Sequence, residues 1–322
     1  MKVFFPSVLS PTSNGGPAAM FTQLARQDRI GMHEVVDDPD EADLLLFTEA
    51  HLLGTDWKLS AIRDSPLFKR YRHKSLVYDE RDRPWCSVPG VYVSMPSASF
   101  NMRLQRSWSY FNIPERDRGA DRTILGSFVA SRSARCRAPL FEIHHPRMLI
   151  EEAVGFIFYD SSSKDYARRK GLFEESIVSS KFVLCPRGHG TSSIRMYEAM
   201  AAGSVPVVIS DHWVPPTGVD LDGAILRWPE GRITGLVEFL ESQEPDWRSM
   251  SSRTAEVFDR YFAPPVSFHN IVEQCAHILG SGFLANYHPE TLSRACLASA
   301  LNATLVRSRE RVVRLLAPMR GT

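Results

Sequence analysis

Cysteine is scarce and scattered: the 322 residues hold five, Cys86, Cys136, Cys185, Cys275 and Cys296, with no CxxC pair and no Cys/His cluster. This excludes a disulfide-built scaffold and a zinc site of the usual spacing, and it makes a reducing compartment the simple expectation. Net charge is equally scarce. Lys and Arg number 38 against 37 Asp and Glu, leaving +1, so no global field points to nucleic acid. Long apolar runs are missing at the start. Met1 to Leu9 is too short to span a bilayer, and Pro11 and Asn14-Gly15-Gly16 follow it, which fits neither a secretion signal nor a membrane anchor. What is present is an ordinary composition, 43% hydrophobic and 23% charged, on a chain long enough for two α/β domains with a core each.

One stretch organises the chain: residues 180–216, SKFVLCPRGHGTSSIRMYEAMAAGSVPVVISDHWVPP. Phe182 to Cys185 is a short apolar run of strand formers, and Pro186-Arg187-Gly188-His189-Gly190 breaks it with a tight turn. Thr191, Ser192 and Ser193 are good helix N-caps, and a largely apolar run follows to Gly203, a natural stop. Val205 to Ile209 then reads as a buried strand. Strand, helix and strand with so little polar alternation predict a parallel sheet covered by helices.

Ligands of such sheets sit beyond the carboxyl ends of the strands, where a helix N-terminus favours an anion such as a diphosphate. Arg187 and Arg195 add positive charge there. Arg195 and Glu198 are three apart on one helix face, so the carboxylate lies one turn deeper, in reach of a ribose diol. Two blander readings stand beside this: a surface ion pair and a plain glycine turn. A rival chemistry is nicotinamide-dependent oxidation, because Gly188-His189-Gly190 is followed 21 residues after Gly190 by Asp211, although Ser193 replaces the third glycine.

The run SKFVLCPRGHG, then Arg195, then YEAMAAGSVPVVISD and a proline loop, resembles the signature of exostosin-family glycosyltransferases, glycosyltransferase family 47. The likeness is strongest over 172–217 and reaches weakly back to Thr123–Phe128 and on to Tyr261-Phe262. His189, Ile194 and Ser204 depart from the family's usual residues. The resemblance implies an α/β architecture of two facing Rossmann-like domains, the GT-B type. It also implies inverting transfer of a sugar from a nucleoside diphosphate donor, here UDP-linked, to a glycan or glycolipid acceptor, with no metal cofactor. The donor-side residues are then Arg132, Arg187, Gly188, His189, Gly190, Ser192, Ser193, Arg195, Glu198 and Asp211. The Val214-Pro215-Pro216 loop would line the donor sugar. Family members in eukaryotes are typically anchored in the secretory pathway. A chain without that anchor is expected to be a cytoplasmic bacterial enzyme of surface polysaccharide or lipopolysaccharide synthesis. A glycan-binding descendant without turnover is a further alternative.

Residues 1–118 are expected to form the acceptor-side domain and 119–284 the donor domain, with Phe111-Asn112-Ile113-Pro114 and the charged run after it as the linker. Lys2–Phe5, Leu44–Phe47 and Ser75–Tyr78 read as first-domain strands, and Asn14 to about Arg26 as a helix. The loop after the third strand, Asp79-Glu80-Arg81-Asp82-Arg83-Pro84-Trp85, faces the cleft and supplies Glu80 and Asp82 as candidate bases, with Trp85 able to stack on a sugar. His33, His144 and His145 are further bases by chemistry alone. Two DxD triplets, Asp38-Pro39-Asp40 and Asp220-Leu221-Asp222, read as solvated turns, not metal sites. Lys69–Lys74 and Arg103–Arg118 are basic with interleaved aromatics, yet no nucleic-acid motif accompanies them. The segment 285–322 is expected to be a helix returning to the first domain; from Ser281 onward the tail carries six Arg and two Glu, so contact with an anionic membrane surface is its second reading.

Overall fold

The structure is a computed structural model that describes residues 1–9, 16–82, 84–153, 166–282 and 284. The segment 285–322, the Asn14-Gly15 turn, Arg83 and the serine loop at 160–164 lie outside the described residues.

The first sheet is built from β1 (Lys2–Phe4), β2 (Glu34–Val35), β3 (Leu44–Phe47), β4 (Ser75–Asp79), β5 (Gly90–Tyr92) and β6 (Gln105–Ser107). Helix α1 (Gly16–Gln27) follows β1, and α2 (Ser60–Arg63) and α3 (Pro66–Arg70) separate β3 from β4. The strand order is β2-β1-β3-β4-β5-β6 with every pair parallel. β3 and β4 are buried along their whole length, as the unalternating LLLF and SLVYD runs require of central strands covered on both faces.

The second sheet is β7 (Ile124–Ala130), β8 (Met148–Glu152), β9 (Ser180–Pro186), β10 (Val205–Ile209) and β11 (Leu226–Arg227), again all parallel, in the order β11-β10-β9-β7-β8. Its helices are α4 (Tyr166–Val178), α5 (Ile194–Ala202), α6 (Leu236–Gln243) and α7 (Trp247–Tyr261). α5 stops at Gly203, whose φ of 71° lets its N–H and that of Ser204 bond back to helix carbonyls. β2, β5, β6 and β8 had no expectation attached to them; three are only two or three residues long, too short for a periodic signal.

Both sheets present their carboxyl ends to one cleft, the facing GT-B arrangement. The chain is fastened across the base of that cleft by one apolar cluster in which Tyr197 of α5 meets Phe262 (5.1 Å) and Phe262 meets Trp108 (5.4 Å). The return to the first domain occurs earlier than expected. Helix α8 (Pro264–Leu279), inside the stretch assigned to the donor domain, packs on α1, β5 and β6. Pro265 accepts the Arg29 amide (2.8 Å), and His33 contacts Glu273 of α8 at 3.0 Å. His33, His269 and Glu273 form a cluster there, but the two imidazoles stack nearly parallel (19°), so their in-plane lone pairs do not converge. Among the described residues no helix is long and apolar enough to cross a membrane.

Candidate functional site

The site is built on the β9–α5–β10 unit. β9 runs to Pro186 at the sheet's carboxyl edge, and Ser193 enters α5 with an extended backbone and no side-chain capping bond, so no side chain takes the first helical N–H groups. Arg195 lies one residue inside the helix and is only 8% exposed. Its Nη2 donates to the Val129 carbonyl (2.7 Å), and its guanidinium lies over the rings of Phe128 (5.0 Å) and Phe173 (5.1 Å). Glu198 is 2% exposed, and its Oε1 accepts from Arg116 (2.9 Å), which also holds Glu174 (2.7 Å). Burial pulls the Arg195 pKa down and pushes that of Glu198 up, the latter against the attraction of Arg116 and Arg195.

Three polar atoms here remain unspent. Arg195 Nη1, Glu198 Oε2 and Ser192 Oγ are buried with no hydrogen-bond partner among the described residues. Each such atom costs about 1–3 kcal/mol if it stays unpaired, and a concentration of them marks a place where a ligand completes the bonding. Arg195 and Glu198 line a cavity of about 320 Å³ walled by β7, β8, α4 and the head of α5. Arg137, Ser193 and Ile194 also line the wider interdomain cavity, about 910 Å³, so the two are neighbours with a common wall.

Arg137 stands at that junction. Its Nε donates to the Arg187 carbonyl (2.9 Å), and its other nitrogens reach the carbonyls of Ser131 and Pro186 (both 3.3 Å). No carboxylate pairs with it among the described residues. Burial and the nearby Arg195 push its pKa down to about 10. Two guanidinia and a helix N-terminus thus lie together with one buried carboxylate behind them, an arrangement whose charge suits an anion. Arg116 and Arg137 had escaped the sequence reading. Arg116 lies in a loop and Arg137 in the 3-10 helix Arg135–Glu142; the signals were the basic run 103–118, which holds Arg116, and the cluster of arginines after β7, of which the sequence singles out Arg132.

The structure divides the expected donor set among three places. Ser193, Arg195 and Glu198 line the cavity at the head of α5, while Gly188, His189, Ser192 and Ser193 line the cleft. Arg187 turns away: its Nε binds both carboxylate oxygens of Glu230 (2.9 Å each), and it faces a further cavity of about 560 Å³ with His189, Gly190 and Asp211. The Asp211 carboxylate accepts the Glu230 amide (3.1 Å), and Asp211 lines the cavity with Arg187, not the one at the head of α5. Arg132 is exposed and paired with Glu152 (2.7 Å), outside these cavities. The proline loop also lies elsewhere, its Val214 carbonyl accepting from Ser107 of β6 (2.8 Å).

On the facing wall, Glu80 and Asp82 both line the cleft. Glu80 accepts the Phe111 amide (2.8 Å), and burial raises its pKa to about 8. Asp82 pinches the cleft against Gly190: a Cβ on that glycine would stand 2.8 Å from the Asp82 carbonyl and 2.7 Å from Ser94 Oγ. Only glycine permits that approach. Trp57, 48% exposed, lines the cleft and meets Trp85 edge-on at 5.0 Å. The remaining expectations fall away from the site. His33 contacts Glu273, His145 faces Glu241 (3.7 Å), Asp40 is held by Arg70 and Tyr71, and Asp220 by Arg253. His144 lies in the loop before β8, outside these cavities. The basic run at 69–74 is spent on such contacts, Lys74 donating to the Pro39 and Ala42 carbonyls.

Comparison with known proteins agrees with this architecture. The family model described as Exostosin GT47 domain matches residues 51–250, more than half of the chain, and the chain belongs to that family. Exostosin-1 of Drosophila melanogaster is 31% identical over 107 residues, covering 32% of this chain and 14% of that protein. An Exostosin-1 homolog of Caenorhabditis elegans is 42% identical over 92 residues, 28% of this chain and 24% of that one. A probable glycosyltransferase of Arabidopsis thaliana is 31% identical over 88 residues, covering 27% and 16%. The aligned stretches therefore span less than a quarter of each of these relatives.

Proposed function

We propose that the protein is an inverting glycosyltransferase that takes a nucleoside diphosphate sugar as donor and a glycan or glycolipid hydroxyl as acceptor. The observation that carries this reading is the pair of unpaired buried atoms on Arg195 and Glu198 in a cavity that shares Arg137, Ser193 and Ile194 with the interdomain cleft. In this reading the nucleoside occupies the cavity, and Glu198 Oε2, its partner oxygen fixed by Arg116, accepts from the ribose hydroxyls. The diphosphate lies at the head of α5 between Arg137 and Arg195. The sugar then projects into the cleft, where the acceptor is held against the first domain.

Transfer forms a bond from the acceptor oxygen to the anomeric carbon and breaks the bond from that carbon to the phosphate oxygen. The electron pair leaves on the diphosphate, where two guanidinia and the α5 N–H groups stabilise it. Those cations take the part that a metal plays elsewhere, so the reaction is proposed to need none. A UDP-linked donor and a place in surface polysaccharide or lipopolysaccharide synthesis extend the same proposal. Thermal-shift binding against UDP, GDP, CDP, ADP and NAD, with EDTA or Mg²⁺, tests it. A shift with one nucleoside diphosphate in EDTA supports the reading; a shift with NAD alone refutes it.

A further inference from the structure

The cleft wall opposite the donor site contains one group that no expectation included. His51 sits in a single helical turn, Ala50–Leu52, directly after β3 at the carboxyl edge of the first sheet. It lines the interdomain cavity together with Glu80, Arg81 and Asp82, and faces Arg137, Gly188, His189 and Ser193 across it. Its ring lies 6.4 Å from that of Phe111, the residue whose amide holds Glu80. Its Nδ1 is buried and makes no hydrogen bond among the described residues.

We propose that His51 is the base that takes the acceptor hydroxyl's proton, a role that rests on the glycosyl-transfer reading above. The acceptor oxygen bonds to the anomeric carbon, its proton passes to the His51 imidazole, and the diphosphate leaves with the electron pair of the broken carbon–oxygen bond. Three groups on this wall differ in fitness for that step. Glu80, with its pKa raised to about 8, holds its own proton at neutral pH and cannot accept another. Asp82 sits at the pinch, where its Oδ1 would stand 2.8 Å from a Cβ on Gly190, so that oxygen is taken up by the contact between the walls.

His51 has the opposite character to Glu80. Burial lowers its pKa below the ordinary imidazole value, so the ring is neutral and ready to accept. The charges that bear on it from its surroundings are Asp79 at the end of β4 and Glu49 beside it in the chain, and both favour the imidazolium once formed. Asp79 is itself held by Arg81 (2.7 Å) and Glu49 by Ser7 (2.5 Å) and the Val8 amide (2.9 Å), so each is fixed in place. A base that starts neutral and is compensated on protonation suits proton removal in the transition state. Trp57, six residues on, offers an exposed ring in the same cavity against which an acceptor sugar can lie.

The test has a substrate-free arm and a kinetic arm. NMR titration of the His51 ring in the full chain is expected to find it neutral at pH 7; a protonated ring at that pH overturns the proposal. For turnover, nucleoside diphosphate release is followed from UDP- and GDP-sugars with methyl glycosides as acceptors. His51→Gln and His51→Ala are expected to lower kcat by roughly 10²–10⁴ with donor KM and nucleotide thermal shift unchanged. Added imidazole is expected to restore part of the His51→Ala rate, which a purely structural role would not allow. If nucleotide binds and both variants keep kcat within about threefold, the assignment of His51 fails alone. If no nucleotide binds the wild-type chain, the glycosyl-transfer reading itself fails, and the role of His51 with it.

Discussion

The two walls of the cleft are built alike and equipped differently. Each is the carboxyl edge of a parallel sheet, yet the second-domain wall gathers Arg137, Arg195 and a helix N-terminus around a buried carboxylate, whereas the first-domain wall gathers His51, Glu80, Asp82 and Trp57. The chemistry of one wall suits an anion, and that of the other suits proton transfer and contact with an apolar ring. The difference follows from the connections. A glycine turn running straight into a nine-residue helix brings unpaired N–H groups to the edge of the second sheet, while β3 and β4 run into irregular loops whose side chains alone can act.

That contrast predicts a graded set of losses. The largest is expected for Arg195→Met, which removes a buried cation from the head of α5 and should weaken nucleoside diphosphate binding by about 1.5–3 kcal/mol, roughly ten- to a hundredfold. Calorimetric titration measures it. An unchanged affinity would show that the anion-holding wall lies elsewhere.

Gly190→Ala acts on the pinch between the walls. The added methyl meets the Asp82 carbonyl at 2.8 Å, so the interdomain contact must open. A stability loss of about 1–3 kcal/mol in urea unfolding is expected. No loss would mean that the walls are not held at this separation.

Glu80 tests the proton-handling wall through pH. Its carboxyl is raised from the ordinary value of 4.5 to about 8, so the folded state holds a proton that the unfolded state has released. Its effect on stability is therefore neutral below about pH 4.5, becomes unfavourable as pH rises from there to about 8, and is constant above. Glu80→Gln should gain stability over the wild type across that window, with the gap closing as pH falls. Parallel curves from pH 4 to 9 would contradict the burial of this group.

Arg187→Gln is expected to produce the smallest change. Because Arg187 is committed to Glu230 and does not line the cavity at the head of α5, nucleotide affinity should stay within about threefold, and only a modest stability loss should appear. If it matched Arg195→Met, the division of the two arginines between cavities would be wrong.

This asymmetry also governs what could be read in the sequence. The β9–α5–β10 unit was legible almost residue by residue, because apolar strands, glycines, a cap and a Gly203 stop are local signals. Arg195 and Glu198 followed from helical spacing, which places residues three apart on one face. Arg187 was misdirected because a turn does not fix where a long side chain points, and the partner that claims it, Glu230, is 43 residues away in sequence. Arg116, Arg137 and His51 were illegible for the same reason: each sits in a loop or a 3-10 helix and gains its place through contacts distant in sequence. The early return of the chain at α8 was illegible too, since its apolar face is compatible with packing on either sheet.

The central claim is that Glu198 holds a ribose at the head of α5. The direct measurement is a double-mutant cycle by calorimetry in EDTA, titrating the nucleoside diphosphate that gives the largest thermal shift, and its 2′,3′-dideoxy counterpart, into wild type and Glu198→Gln. The mutation is expected to weaken the ribonucleotide about tenfold, the loss of one charge-assisted hydrogen bond, and to leave the dideoxynucleotide nearly unaffected. Equal weakening of both nucleotides would place the ribose away from Glu198 and contradict the claim.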